Sequence, residues 1–189
     1  MTAGTAGRNP ALEIPTPGKR DDARVGIRLD LRDEAATRAL AVRLAAHARA
    51  GDVIGLKGPL GAGKTAFARA FIAARAALSG VEVDDVPSPT FTLVQTYDFP
   101  GDPGLSPTIF HIDLYRIDNP GEAVELGIED AFASGICLIE WPERLGHLLP
   151  RSRIELTLAP GATDNARTAE LAGFGDGRKR LKEAGYNDR

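Results

Sequence analysis

Eight consecutive residues, Gly58-Pro59-Leu60-Gly61-Ala62-Gly63-Lys64-Thr65, follow the pattern G-x-x-x-x-G-K-[ST]. Each residue type in it answers a chemical need. Glycine lets the backbone turn sharply and approach phosphate oxygens, so that successive N–H groups converge as an anion nest. A helix opening at Lys64 adds its positive end. Lys64 then reaches terminal phosphates, and the Thr65 hydroxyl ligates Mg²⁺.

Such a site needs a second oxygen ligand, usually an aspartate closing an apolar strand. Asp113 closes the run Thr108-Ile109-Phe110-His111-Ile112 and is either that ligand or a strand-end aspartate capping a turn. Many nucleotide hydrolases place a water-activating glutamate directly after that aspartate, but here Leu114, Tyr115 and Arg116 follow. Glu140 closes the next apolar run, Ile136-Cys137-Leu138-Ile139, and is either the substitute, reaching metal or water, or a surface glutamate at a strand end. Trp141 beside it is either core or packed over the nucleotide. Ser88-Pro89-Thr90-Phe91-Thr92 reads as a loop ordered by phosphate and metal, with Thr90 as a candidate contact, or as a proline-bracketed connection. Arg116 and Arg144 are phosphate sensors or surface arginines. With no N-K-x-D guanine reader in the chain, ATP is expected over GTP.

Strands and helices must hold these groups. Residues 52–57 form an apolar run of strand length, and Phe67, Phe71, Ala74 and Leu78 recur at helical spacing up to Gly80. Upstream, Val25, Ile27, Leu29 and Leu31 alternate as in a half-buried strand; a helix follows from Asp33-Glu34 and ends at Gly51. Residues 92–99 have strand composition, and 100–104 read as a turn. Residues 120–134 read as two short helices broken at Gly127. Residues 154–158 and 167–171 alternate across a Pro/Gly/Asp/Asn loop, the mark of an antiparallel hairpin. The expected fold is α/β, one P-loop NTPase domain over residues 25–173 with a mixed central sheet, flanking helices and a C-terminal hairpin. Its ligand site should lie beyond the strand carboxyl ends, where the P-loop, Asp113 and Glu140 all fall. Residues 1–24 read as a disordered leader and 174–189 as a mobile charged tail.

At 189 residues, 43% hydrophobic and 26% charged, with net charge −3, the chain has ordinary globular composition and no global signature of a nucleic-acid or membrane partner. No stretch is long and apolar enough to span a membrane, and the first residues lack the apolar core of a secretory signal, so a cytoplasmic location is expected. Cys137, the only cysteine, sits in an apolar run as a small hydrophobe, and the three histidines show no metal-ligand spacing with it.

Together the motifs resemble the TsaE (YjeE) family of bacterial ATPases. The resemblance rests on the P-loop, on Ser88-Pro89-Thr90-Phe91-Thr92-Leu93-Val94, on His111-Ile112-Asp113-Leu114-Tyr115-Arg116 and on Ile139-Glu140-Trp141-Pro142, with Asp33-Glu34-Ala35-Ala36-Thr37 similar to the family's first helix opening. It implies ATP bound with Mg²⁺, Thr65 and Glu140 on the metal, Asp113 supporting metal and water, Lys64 on the phosphates, Trp141 beside the site and Glu34 on the adenine side. It also implies a slow ATPase activated by the partner proteins TsaB and TsaD, which modify tRNA to threonylcarbamoyladenosine, so that tRNA is met only through the complex. A small-molecule P-loop kinase and a non-hydrolysing nucleotide-binding module are the competing expectations. The kinase would draw its lid arginines from Arg144, Arg151 and Arg153.

Overall fold

A computed structural model describes residues 25–83, 85–101 and 106–187. The expected leader, and the centre of the expected turn at 100–104, lie outside the described residues. The strands are β1 (Val25–Leu31), β2 (Val53–Lys57), β3 (Val94–Tyr97), β4 (Ile109–Asp113), β5 (Ile136–Glu140), β6 (Arg153–Pro160) and β7 (Arg167–Phe174). The helices are α1 (Glu34–His47), α2 (Lys64–Leu78), α3 (Pro120–Glu125), α4 (Ile128–Ser134) and α5 (Asp176–Glu183), with a 3₁₀ segment at Pro142–Leu148.

Among the described residues the strands form one seven-stranded sheet in the order β1-β7-β6-β2-β5-β4-β3. β2 runs parallel to both β5 and β6, and β4 parallel to β5, while β7 and β3 run opposite to their neighbours. β1 lies antiparallel to β7 and so shares the direction of β6. One edge of the sheet therefore collects the carboxyl ends of β1, β2, β4, β5 and β6.

Both faces of the central strands are covered, which is why they read as continuous apolar runs instead of alternating ones. On β5, Ile136 and Leu138 join a core under α1, α2 and α5, whereas Cys137 and Ile139 join a second core on the opposite face, under α3, α4 and the 3₁₀ segment. Cys137 is a buried core residue, and burial pushes its thiol up to about 12. Phe67 and Phe71 of α2 are fully buried against the first core, each stabilising the helix's seat by about 1.5–3 kcal/mol.

Two expectations need correction. α1 is capped by Asp33, whose Oδ1 accepts from the Ala36 amide at 2.8 Å, but it stops at His47, ahead of Gly51. A turn takes over, in which Asp52 Oδ2 accepts from the Arg49 amide. The charged stretch expected to be a mobile tail contains α5. Leu181 and Ala184 are buried in the first core, and the Arg180 guanidinium donates to Asp52 at 2.8 Å, tying the helix to the start of β2. A nearly continuous run of charge concealed this short helix, because Leu181 is its one large apolar residue, with Ala184 just beyond its end.

Candidate nucleotide site

β2 delivers the chain to the loop at Gly58 with φ +130°, a backbone state that side chains with a Cβ rarely adopt. A Cβ there would lie 2.1 Å from the Leu158 carbonyl oxygen of β6, so the loop is seated against its neighbouring strand with no room to spare. Gly63, at φ 101°, caps α2 without a side-chain bond. The first amides of α2 thus have no side-chain competitor at the end where an anion would sit. Leu60 stands exposed on the loop and Ala62 is buried beneath it.

Lys64 lies within this cup. Its Nζ donates to the carbonyls of Gly58 at 2.8 Å and Pro59 at 2.9 Å and sits 4.0 Å from the centroid of the Trp141 ring. Burial pulls its ammonium below the ordinary lysine value, opposed by the carboxylates of Glu140, Asp113 and Glu143. Trp141 reaches this position from a left-handed backbone (φ 60°) directly after β5, with its ring 5.2 Å from that of Tyr115.

In-register pairing of β4 with β5 sets Asp113 opposite Glu140, and both are buried. Glu140 is therefore not a surface glutamate. Its Oε2 accepts from the Thr65 hydroxyl at 3.0 Å, and its Oε1 lies 3.0 Å from His111 Nε2. Asp113 Oδ1 accepts from the Tyr115 amide at 3.0 Å and Oδ2 from the Thr90 hydroxyl at 2.7 Å. Since Thr90 gives its proton to Asp113, the Ser88 hydroxyl, 2.8 Å away, donates to Thr90. The Ser88-Pro89-Thr90 loop is thus tied to the strand-end aspartate, while Phe91 beside it is 85% exposed.

The residues on this edge fit Mg²⁺. A hydroxyl and one or two carboxylates are hard oxygen donors, and Mg²⁺ takes few protein ligands because phosphates and water supply the rest. No cluster of three or more His, Cys, Asp or Glu able to hold a metal occurs among the described residues.

Beside the loop lies a cavity of about 490 Å³, lined by Asp33 and Glu34 at the start of α1, Gly63 and Ala66 of α2, and Asn165 and Arg167 of the β6–β7 hairpin. Glu34, expected on the base side, is on its wall. Two residues here had no role assigned from the sequence. Arg167 donates from Nε to the Ala62 carbonyl at 3.2 Å, bracing the loop from behind; the alternation at 167–171 located a strand but not its neighbour. His111 figured in the sequence only as part of the stretch His111-Ile112-Asp113-Leu114-Tyr115-Arg116 that carries the family resemblance, with no role of its own.

A phosphate loop between β2 and α2, set at the carboxyl edge of the parallel centre of a mixed sheet, defines the P-loop NTPase fold. The sequence model described as threonylcarbamoyl adenosine biosynthesis protein TsaE matches residues 31–169, and the chain belongs to that family. Curated relatives carry the name tRNA threonylcarbamoyladenosine biosynthesis protein TsaE. The one from Rickettsia bellii is 41% identical, the match covering 68% of this chain and 83% of that one. The Haemophilus influenzae protein is 37% identical over 69% and 75%, and that of Bacillus subtilis 35% identical over 68% and 74%. The crystal structure of Bacillus subtilis YdiB superposes with a TM-score of 0.66 at 27% identity, covering 85% of this chain and 94% of that one.

Proposed function

We propose that this protein is a Mg²⁺-dependent ATP hydrolase serving threonylcarbamoyladenosine modification of tRNA, weak alone and activated by partner proteins of the TsaB and TsaD kind in the cytoplasm. One observation carries the reading: Thr65, Glu140 and Asp113, from three separate elements, converge at the mouth of a phosphate loop. The family membership supplies the pathway. No helix among the described residues is long and apolar enough to cross a membrane.

In this reading the amides of Gly61 to Thr65 cradle the phosphates, and Lys64 exchanges its bonds to the Gly58 and Pro59 carbonyls for the terminal phosphate oxygens. Thr65 and Glu140 hold Mg²⁺, with Asp113 supporting its water shell and orienting the attacking water. The bound metal neutralises charge that develops on the phosphate oxygens during transfer. The adenosine occupies the 490 Å³ cavity beside Glu34 and Arg167, a volume of the size that small ligands fill. Buried carboxylates and the covering Trp141 keep bulk water out, so these charges act at short range and low dielectric.

The kinase reading is the weaker one, since the family membership points to tRNA modification and one of the three arginines it drew on is engaged elsewhere: Arg153 donates to Glu155 at 2.8 Å and to the Pro150 carbonyl at 3.0 Å. The decisive experiment measures phosphate release in single turnover with Mg²⁺-ATP, with and without TsaB and TsaD, alongside tRNA modification. Glu140→Gln should slow release by about 10²–10³-fold, and Lys64→Ala should abolish modification. Unchanged modification with Lys64→Ala overturns the proposal. Absence of any released phosphate with both partners present would instead make the chain a non-hydrolysing module.

A further inference from the structure

His111 is fully buried, yet it lies outside every role assigned above. It sits in the middle of β4, two residues before Asp113, on the face turned toward α2. Register places it opposite Leu138 of β5 and Gln95 of β3, two residue pairs inside the Asp113–Glu140 pair and on the same face of the sheet. Its Nε2 meets Glu140 Oε1 at 3.0 Å, whereas its Nδ1, equally buried, has no hydrogen-bond partner among the described residues.

That asymmetry fixes the proton. A hydrogen on Nδ1 would be a buried donor with nothing to accept it, a costly arrangement. A hydrogen on Nε2 is accepted by a carboxylate, a charge-assisted bond. Each Glu140 oxygen then has its own duty: Oε1 is held from below by the imidazole, and Oε2 faces the Thr65 hydroxyl at the metal position. Without the lower bond the carboxylate can rotate about its last torsion, which is broad for glutamate.

We propose that His111 is a positioning residue, which locks the Glu140 carboxylate so that one oxygen is presented to the Mg²⁺ held with Thr65. The proposal rests on the reading of Glu140 as a metal ligand. Hydrogen bonds of this outer kind tune metal affinity by about 10–100-fold. They do so without touching the metal, because they remove the ligand's freedom before binding.

The test titrates Mn²⁺, a spectroscopic stand-in for Mg²⁺, into the full-length protein with a non-hydrolysable ATP analogue and reads bound metal by electron paramagnetic resonance. Metal-free nucleotide affinity is measured in parallel in EDTA. His111→Leu keeps apolar bulk but loses the donor, and His111→Asn has a donor too short to reach Oε1. Each should weaken Mn²⁺ by about tenfold or more and leave metal-free nucleotide affinity unchanged. His111→Gln, whose amide reaches as far as Nε2, should recover most of the affinity. If Leu destabilises the fold, the Asn and Gln pair carries the comparison by itself. Wild-type Mn²⁺ affinity in His111→Asn, or equal weakening in Asn and Gln, overturns the inference. Glu140→Ala separates the two levels: unchanged Mn²⁺ affinity there would sink the metal reading itself, whereas a loss there with none in His111→Asn would sink only the role of His111.

Discussion

Replacing Gly58 by alanine adds a single methyl group at the most constrained point of the phosphate loop. The new Cβ would lie 2.1 Å from the Leu158 carbonyl oxygen and 3.2 Å from Ala62 Cβ, against a backbone φ of +130°. The obstructing atom belongs to a central strand and cannot swing aside, so the loop must retreat by roughly 1 Å, a shift that by itself degrades a catalytic geometry about 10²-fold. Holding alanine at that φ costs a further ~1–3 kcal/mol. Loss of two charge-assisted amide bonds to phosphate, each worth about 1.5–3 kcal/mol, corresponds to at least ~100-fold in nucleotide affinity. The assay is binding of a fluorescent ATP analogue together with thermal melting, in which each kcal/mol lowers Tm by about 2–4 °C for a chain of this size. Gly61→Ala is the control. It has φ +76° but nothing within 4 Å of the added carbon, so it should show only the ~1–2 kcal/mol of left-handed strain and under tenfold weaker binding. Wild-type affinity in Gly58→Ala, or equal losses in both variants, would refute the reasoning.

Other outcomes follow from the same geometry. Trp141 is the only tryptophan, so intrinsic emission reports one site; Lys64→Met removes the cation 4.0 Å from its ring and should change the emission of the free protein by an amount comparable to the change ATP causes in the wild type. An unaltered spectrum would show that the contact does not persist in solution. Burial acts to raise the pKa of Glu155, but bonds from Arg153 and Lys57 overcome it and hold the carboxyl below its ordinary value of 4.5. Its stabilising contribution is therefore complete above that pH and is lost as pH falls through the folded value. Glu155→Gln should accordingly flatten the acid limb of a Tm–pH profile below about pH 4.5 while lowering Tm at neutral pH, and a parallel downward shift at all pH values would contradict it.

Most of the site could be read from residues before any geometry was known, because its chemistry is local: glycines, lysine and threonine at fixed spacing, and apolar runs that stop at a carboxylate. The shared edge of Asp113 and Glu140 was inferable too, since buried parallel strands end at the same side of a sheet. What stayed hidden depends on which strands become neighbours. Arg167 reaches Ala62 only because β6 pairs with β2 and returns as β7 to the loop, a pairing separated by about a hundred residues of chain. His111 bonds to Glu140 only through β4–β5 register, and its chemical character within an apolar run gave no hint of direction. Helix α5 failed for a different reason: one turn of buried contact is too short for periodicity to register.

The seat of the phosphate loop has a consequence for how the molecule comes into being. β2 is flanked by β5 and β6, both later in the chain, and Gly58 rests on the carbonyl of Leu158. β1 must likewise wait for β7. During synthesis, a nascent chain with every P-loop residue already translated still lacks both walls of the sheet, and pairings of such long sequence separation form slowly. A complete seat for the phosphate loop is thus acquired only after the hairpin has been made, when it slides in between the first strand and the second.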